Sequence, residues 1–296
     1  MTIRRLLLAI VVCGLAVGAI ALVARHDTFS PVLREVVVPV PGLRHEVRLL
    51  QVSDLHGNRF GARQSALATL LDGRQLDAMV LTGDMLDFWR QPREPVYELL
   101  EVMKARTPRV YYLQGNHDPP GLGPDLAARG ATVLRSGVPV AFAPGDPSGR
   151  DVALVYGVDR RSILGAKGRG SKLLVVASHT PPSAGRLATG ASLPGGVHLY
   201  LAGHTHGGQI RLPLLGAMAA PMSWYAEEGG NPRDNEITLW PDLKGRLVDG
   251  MYEPGGQKVF VTRGVGTTGY SAGEFSMRIR FLCRAEMVMF RFVPKG

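Results

Sequence analysis

Short apolar, β-branched runs recur along the chain every few tens of residues, separated by polar, turn-forming stretches. Runs at 36–40, 47–52, 78–81, 110–113, 152–156, 173–177, 199–201, 259–262 and 287–292 have the length and composition of strands. Apolar positions at helical spacing occur at 64–71 and 96–103. Strands that alternate with helices early and then run on with few helices predict a mixed α/β sandwich, its strand ends converging on one site. Several runs stop at Gly, Asp, Asn or His, as strands do when they feed functional loops.

One apolar run is of a different kind. From Leu6 to Val23 no side chain is charged, and the only polar group is the thiol of Cys13. Eighteen residues at helical rise span roughly 27 Å, close to the hydrocarbon thickness of a bilayer. Residues 1–24 therefore form a membrane segment. Two uses fit it: a retained single-pass anchor in the cell membrane, favoured by the length, or an export signal cleaved near Ala19-Ile20-Ala21. Arg4 and Arg5 precede the run and Arg25 follows it, so the flanking charges are nearly balanced and do not choose the side of the membrane. A polar connector around His26 to Pro31 and a first strand occupy 25–46, and residues 47–296 form the soluble domain.

Composition narrows the chemistry. With 37 glycines and 21 prolines in 296 residues, the chain has too many turn formers for a long helical bundle. Two cysteines, Cys13 and Cys283, cannot build a disulfide framework or a thiolate zinc site. Lys and Arg outnumber Asp and Glu by 34 to 25, a charge of +9 that favours anionic partners. No helix-turn-helix or aromatic-basic stacking module accompanies that charge, so specific nucleic-acid binding is not expected.

Five of the eight histidines close predicted strands, in five segments. In order these are Ser53-Asp54-Leu55-His56-Gly57, Gly83-Asp84-Met85-Leu86-Asp87, Gly115-Asn116-His117-Asp118, Ser178-His179-Thr180-Pro181 and Gly203-His204-Thr205-His206-Gly207-Gly208. Carboxylate, imidazole and amide oxygen suit divalent first-row metals. Asp-x-His and His-x-His at a strand end put residues i and i+2 on one side, so both reach one small volume. A single pair of this kind is more often an ordinary turn. Five such clusters, each behind an apolar strand, are not.

The ordered set resembles the calcineurin-like metallophosphoesterase superfamily, over roughly residues 47–292. It is closest to the bacterial membrane-associated YkuE/YaeI-like branch, through Gly203-His204-Thr205-His206-Gly207-Gly208-Gln209 and Arg263-Gly264-Val265-Gly266-Thr267-Thr268-Gly269. The resemblance implies a four-layer α/β/β/α sandwich, here behind an N-terminal transmembrane segment, with two divalent metal ions (manganese, iron or zinc). Asp54, His56 and His206 would hold one ion and Asn116, His179 and His204 the other, with Asp84 bridging. The assignment has a physical logic, since two dications about 4 Å apart repel unless anionic oxygen lies between them. His117 would be the general acid, protonating the leaving oxygen, with Asp118 orienting or charge-stabilising it. Asp87 matches the family's second acid, outside the ligand set.

The resemblance implies a membrane-associated, metal-dependent phosphoesterase that hydrolyses a phosphodiester or pyrophosphate bond. Anchor, basic charge and aromatic segments point to a lipid-linked phosphate substrate; some relatives cleave an acylated UDP-glucosamine. The alternatives are a broad phosphodiesterase on cell-envelope polymer or nucleotides, and a non-catalytic scaffold of the same fold. Phe88 and Trp89 follow Asp87 and would wall an acyl chain or nucleobase, or else simply pack there. Arg160, where the branch often has Asp, would lie on a solvated basic loop or else contact a phosphate or acidic headgroup. Residues 223–243, with Trp224, Tyr225 and Trp240, would form a lid or membrane-dipping loop or else a surface hairpin. The basic stretch 165–172 only partly matches a phosphate loop, because Ser171 precedes Lys172 instead of following it, and reads as a surface turn.

Overall fold

The computed structural model describes residues 3–87, 92–136, 138–142, 151–157, 163, 165, 170–181, 196–221, 237–239, 246–272 and 275–295. In chain order the elements are α1 (Ile3–Phe29), β1 (Val32–Pro41), β2 (Val47–Val52), α2 (Ser65–Leu70), β3 (Ala78–Thr82), α3 (Glu94–Lys104), β4 (Val110–Leu113), α4 (Leu122–Ala128), β5 (Thr132–Val133), β6 (Val140–Phe142) and β7 (Val152–Tyr156). There follow β8 (Leu173–Ala177), β9 (Leu199–Ala202), β10 (Arg211–Leu212), β11 (Gly216–Ala217), β12 (Ala219–Pro221), β13 (Ile237–Leu239), β14 (Gly250–Tyr252), β15 (Val259–Val261), β16 (Tyr270–Ala272), β17 (Phe275–Met277) and β18 (Glu286–Lys295).

Two six-stranded mixed sheets carry the molecule, in the orders β1-β18-β2-β3-β4-β5 and β14-β15-β9-β8-β7-β6. Strands β2 to β5 run parallel, as do β7, β8, β9 and β15. Side chains alternate across each strand, and the two faces enter different cores. Leu50, Val52, Met79 and Leu81 join Leu67, Leu99, Leu100 and Leu126 of the helices. Their neighbours Leu49, Ala78 and Val80 instead meet Leu154, Val175 and Leu201 of the second sheet. The far face of the second sheet buries Ala153, Val155, Leu174 and Val176 with Ile163 and Leu247. Strands buried on both faces explain why β3 and β8 read as nearly continuous apolar runs.

Helix α1 runs into the expected connector as far as Phe29, stopping short of Pro31 because a residue ahead of proline disfavours helix. Its apolar run is exposed, and by length and composition it can cross a membrane as an anchor or serve as a signal sequence. Only its end is buried, at Ala24, Asp27 and Thr28. Strand β1 is the edge strand of the first sheet, parallel to β18 from Val32 opposite Glu286 onward. Since Val288 of β18 lies opposite Gln51 of β2, the chain leaves α1 at the end of the sheet where β2 finishes.

Candidate metal centre

The loops that follow β2, β3, β8 and β9 meet at that end. Beyond its last sheet residue the β2 loop keeps pairing with the β3 loop: Asp54, His56 and Gly57 donate their N–H groups to the carbonyls of Gly83, Asp84 and Met85 at 2.9–3.0 Å. The second sheet is tied in through Gln51 Nε2, which reaches the Ala202 carbonyl at 3.1 Å, and through His204 N–H, which donates to the Asp54 carboxylate at 3.2 Å. Asp54, His56, Asp84, His204 and His206 all have positive φ, between 47° and 71°. Residues with a Cβ rarely adopt this conformation, and it concentrates at functional sites.

Glycines make the close approaches. A Cβ on Gly115 would stand 2.1 Å from Asp84 Oδ1, and one on Gly203 would stand 2.0 Å from Ser53 Oγ. The glycines of Arg263-Gly264-Val265-Gly266 have the same role, which their sequence pattern alone did not reveal. Val265 N–H and Gly266 N–H donate to the carbonyls of Ser53 and Asp54, and a Cβ on Gly266 would fall 2.1 Å from the Leu55 carbonyl.

Among the described residues three groups of converging ligand atoms result; one, His56 with Asp87 and His117, shares His56, and the other two are built from the expected ligands. Asp54, His56 and His206 form one, with His56 Nε2 at 3.0 Å from His206 Nε2 and His206 Nε2 at 3.6 Å from Asp54 Oδ1. Asp84, His179 and His204 form the other, with His179 Nε2 at 3.0 Å from Asp84 Oδ2 and 3.1 Å from His204 Nδ1. Asp84 Oδ2 also lies 3.8 Å from His56 Nε2, which puts this carboxylate between the groups. Asn116, half-buried, follows Gly115 and precedes His117, whose N–H donates to Asp84 Oδ1 at 2.8 Å.

Burial sets the electrostatics. It lowers His56 to about 3, and it holds His204 and His206 well below the usual imidazole range, so these rings present neutral lone pairs. Burial opposes ionisation of Asp84 too, but the attraction and hydrogen bond of His179 outweigh it and keep the carboxylate charged. For His179 the same burial is outweighed by Asp84, which raises it to about 9. Buried polar atoms without a hydrogen-bond partner are rare, yet His56 Nδ1, His204 Nε2 and His206 Nδ1 are three of them. Three neutral imidazoles, the ring of His179 and the carboxylates converging at these distances fit a pair of divalent cations, which would displace the His179 proton.

His117 stands beside the first group, its ring centroid 5.0 Å from that of His56. The carboxylate on its Nδ1 is Asp87, at 3.0 Å, and not Asp118 as the sequence led one to expect. Burial would lower His117, but the hydrogen bond its ring donates to Asp87 and the charge of Asp84 raise it above the ordinary imidazole value. Asp87 is held in turn by Arg278, exposed at the end of the β16–β17 hairpin. Asp118 is buried and accepts from Leu86 N–H, Gly115 N–H and the Tyr112 hydroxyl at 2.9–3.0 Å, so it ties the β3 and β4 loops together. Phe88, Trp89 and Arg160 lie outside the described residues, as do half of 165–172 and all of 223–243 except β13.

Residues 47–208 match the family model described as calcineurin-like phosphoesterase. The chain belongs to the calcineurin-like phosphoesterase family. This calcineurin-like chain is 28% identical over 257 residues to the uncharacterized metallophosphoesterase YkuE of Bacillus subtilis (strain 168), covering 82% of this chain and 78% of that one. Among solved structures it is similar to a 5'-nucleotidase precursor from Thermus thermophilus, at 15% identity and a TM-score of 0.42, covering 84% of this chain and 54% of that one. It is also similar to the Thermus thermophilus sulfate thiohydrolase SoxB, at 12% identity and a TM-score of 0.42, covering 81% and 57%. The calcineurin-like chain thus spans little more than half the length of those two proteins.

One buried cation in the family's site loops had no sequence signal. Arg280, fully buried, donates to the carbonyls of His206 and Gly266 at 3.2 and 3.0 Å and to that of Arg263 at 2.6 Å, while its own N–H donates to Thr28 Oγ1 at 2.8 Å. It joins the two signature loops to the end of α1.

Proposed function

We propose that the protein is a membrane-anchored, dinuclear metal-dependent phosphoesterase that hydrolyses a phosphodiester or pyrophosphate bond in a lipid-linked substrate. The observation that carries the reading is Asp84, a buried, ionised carboxylate reaching both converging ligand groups. Asp54, His56 and His206 would hold one ion, Asn116, His179 and His204 the second, and Asp84 both. Bound there, two divalent ions supply an activated water and neutralise charge building on the phosphoryl oxygens. His117 carries the proton for the departing oxygen, and Asp87 holds its ring through Nδ1. Arg278, beside Asp87 and exposed, offers a guanidinium to an anionic substrate at the same rim. The lipid-linked substrate is supported by α1, which brings the chain out of its apolar segment at the site end of the sheet.

The test is a panel of lipid-linked and soluble phosphodiesters assayed with added manganese, alongside metal analysis of the full chain. Two variants separate the roles. Asp84→Asn is expected to lose dinuclear metal binding and turnover together. His117→Asn is expected to keep its metal content while kcat falls about 10²- to 10⁴-fold, the usual contribution of a general acid. Unchanged turnover in the His117 variant would overturn the proton role, and an intact metal pair in the Asp84 variant would overturn the bridge.

A further inference from the structure

Leu214 and Leu282 hold positive φ, 68° and 50°, although both are residues with a Cβ. Both also face solvent, and Leu214 does so completely, at 106% of its reference exposure. A strained backbone that displays an apolar side chain to water is unfavourable twice over. Leu212, Leu215 and Ile279 are exposed around them.

These side chains lie on two segments that are physically joined. The β10–β11 hairpin enters at Ile210, which bridges to Phe281, and Arg211 N–H and Phe281 N–H exchange hydrogen bonds with the Phe281 and Gln209 carbonyls at 2.9 and 3.0 Å. The stretch 279–285 is bound on its other side to the end of α1, through Arg280 N–H to Thr28 Oγ1 and Ala285 N–H to the Asp27 carbonyl at 2.9 Å. Exposed Phe29 closes that helix. The exposed leucines are therefore continuous with the point where the apolar helix meets the domain.

We propose that the β10–β11 hairpin, with Ile279 and Leu282, is a second membrane contact that enters the lipid interface beside α1 and holds the metal centre toward the bilayer. The inference rests on α1 being an anchor. A lipid surface fits better than a protein partner because Leu214 protrudes from a tight tip, which fluid lipid surrounds and a flat protein face does not. Arg25 and Arg284 stand near the same helix end, as cations do that meet anionic headgroups. His206 and Gln209 immediately precede the hairpin, so its seat in the interface fixes the height of the metal loop above the lipid.

The experiment uses the full chain in vesicles of phosphatidylethanolamine and phosphatidylglycerol, with spin labels read by collision with oxygen and with a water-soluble nickel chelate. One label sits on native Cys13, in the helix. Others are placed singly at Leu214→Cys and at His45→Cys, on the opposite end of the sandwich, both in a Cys13→Ser background. Labels at 13 and 214 are expected to favour oxygen over nickel, and the label at 45 the reverse. A label at 214 as open to nickel as that at 45, with 13 in lipid, overturns the second contact and leaves the anchor standing. A label at 13 open to nickel overturns both. A label at 214 shielded from oxygen and nickel alike marks a protein partner or second copy, and overturns the lipid assignment. Because labelling removes Leu214 itself, a label at Leu212→Cys is also compared with and without Leu214→Ser and Leu215→Ser, which is expected to raise its nickel accessibility about tenfold; no change would overturn the proposal.

Discussion

At the end of the sandwich where β2, β3, β8 and β9 finish, five side-chain-bearing residues are held at positive φ, while at the opposite end the turn between β1 and β2 gives that conformation to Gly42. The ionic groups differ in the same way. Near the site Arg280 is fully buried and bound by backbone carbonyls, whereas at the far end Arg48 and Arg291, paired across β2 and β18, share the partly exposed Glu46. Left-handed backbone costs about 1–3 kcal/mol per residue where a Cβ is present. The fold accepts that cost five times where ligand atoms must point inward, and avoids it in the far turn. Strain thus accompanies the chemistry at the candidate ligands, although it also occurs at Arg63, Gln64, Gln209, Leu214 and Leu282.

The sharpest way to break this comparison is to add one methyl group at each end. Gly115→Ala puts a Cβ 2.1 Å from Asp84 Oδ1 and 2.2 Å from Asp84 N, backbone that cannot swing aside. Overpacking of this kind is expected to cost about 1–3 kcal/mol, and displacing Asp84 to weaken metal binding by about tenfold or more. Gly42→Ala meets nothing within 4 Å and suffers only its φ of 76°. It is expected to cost about 1 kcal/mol and leave metal affinity unchanged. Metal titration and thermal melts on both variants check this, and equal metal affinities would mean that close approach is not what places Asp84.

Arg280→Met comes next. It removes donors from the carbonyls of His206, Arg263 and Gly266, of which that of His206 keeps Gln209 N–H while the other two lose the guanidinium that holds them, at an expected cost of about 3 kcal/mol. That corresponds to roughly 10 °C in Tm for a domain of this size. Arg280→Lys is expected to rescue little, because a point charge cannot reach three carbonyls that the planar guanidinium spans. Full rescue by lysine would show that charge alone, and not the fork, holds the loops.

The elements legible in the sequence are those with both faces buried. Strands β2, β4, β7 and β8 coincide with their apolar runs because turn residues bound them on each side. Strand β1 begins four residues earlier than the run at 36–40, since Arg34 and Glu35 break the pattern and pairing with distant β18 decides the matter. Helix α4 escapes notice behind Pro119, Pro120, Gly121, Gly123 and Pro124, which read as a loop. The ligand groups were legible because Asp-x-His and His-x-His are local. The Asp87–His117 contact was not, since Asp118 is adjacent in sequence while Asp87 arrives from another loop, with Arg278 behind it 191 positions away. Arg280 carries no local signal at all: only tertiary structure makes one arginine in a polar stretch the tie between helix end and site.

The smallest effect belongs to the far end. Glu46 accepts from Arg291 at 2.7 and 2.8 Å and from Arg48 at 2.7 Å, and the hydrogen bonds of Arg291 and then Arg48 lower its carboxyl from 4.5 to about 2. It separates two like charges that face each other across the strands, an arrangement unfavourable without it. A carboxyl depressed on folding stabilises the native state above its unfolded value and loses that contribution as pH falls toward its folded one. The window here therefore opens near 4.5 and closes near 2. Solvent screens groups this exposed, so Glu46→Gln is expected to lower Tm by no more than about 2 °C at neutral pH. The difference from the parent protein should shrink as pH is taken from about 5 to about 3. Melts across that range with metal content unchanged would confine Glu46 to local stability, whereas any loss of metal would mean that the two ends of the sandwich are coupled.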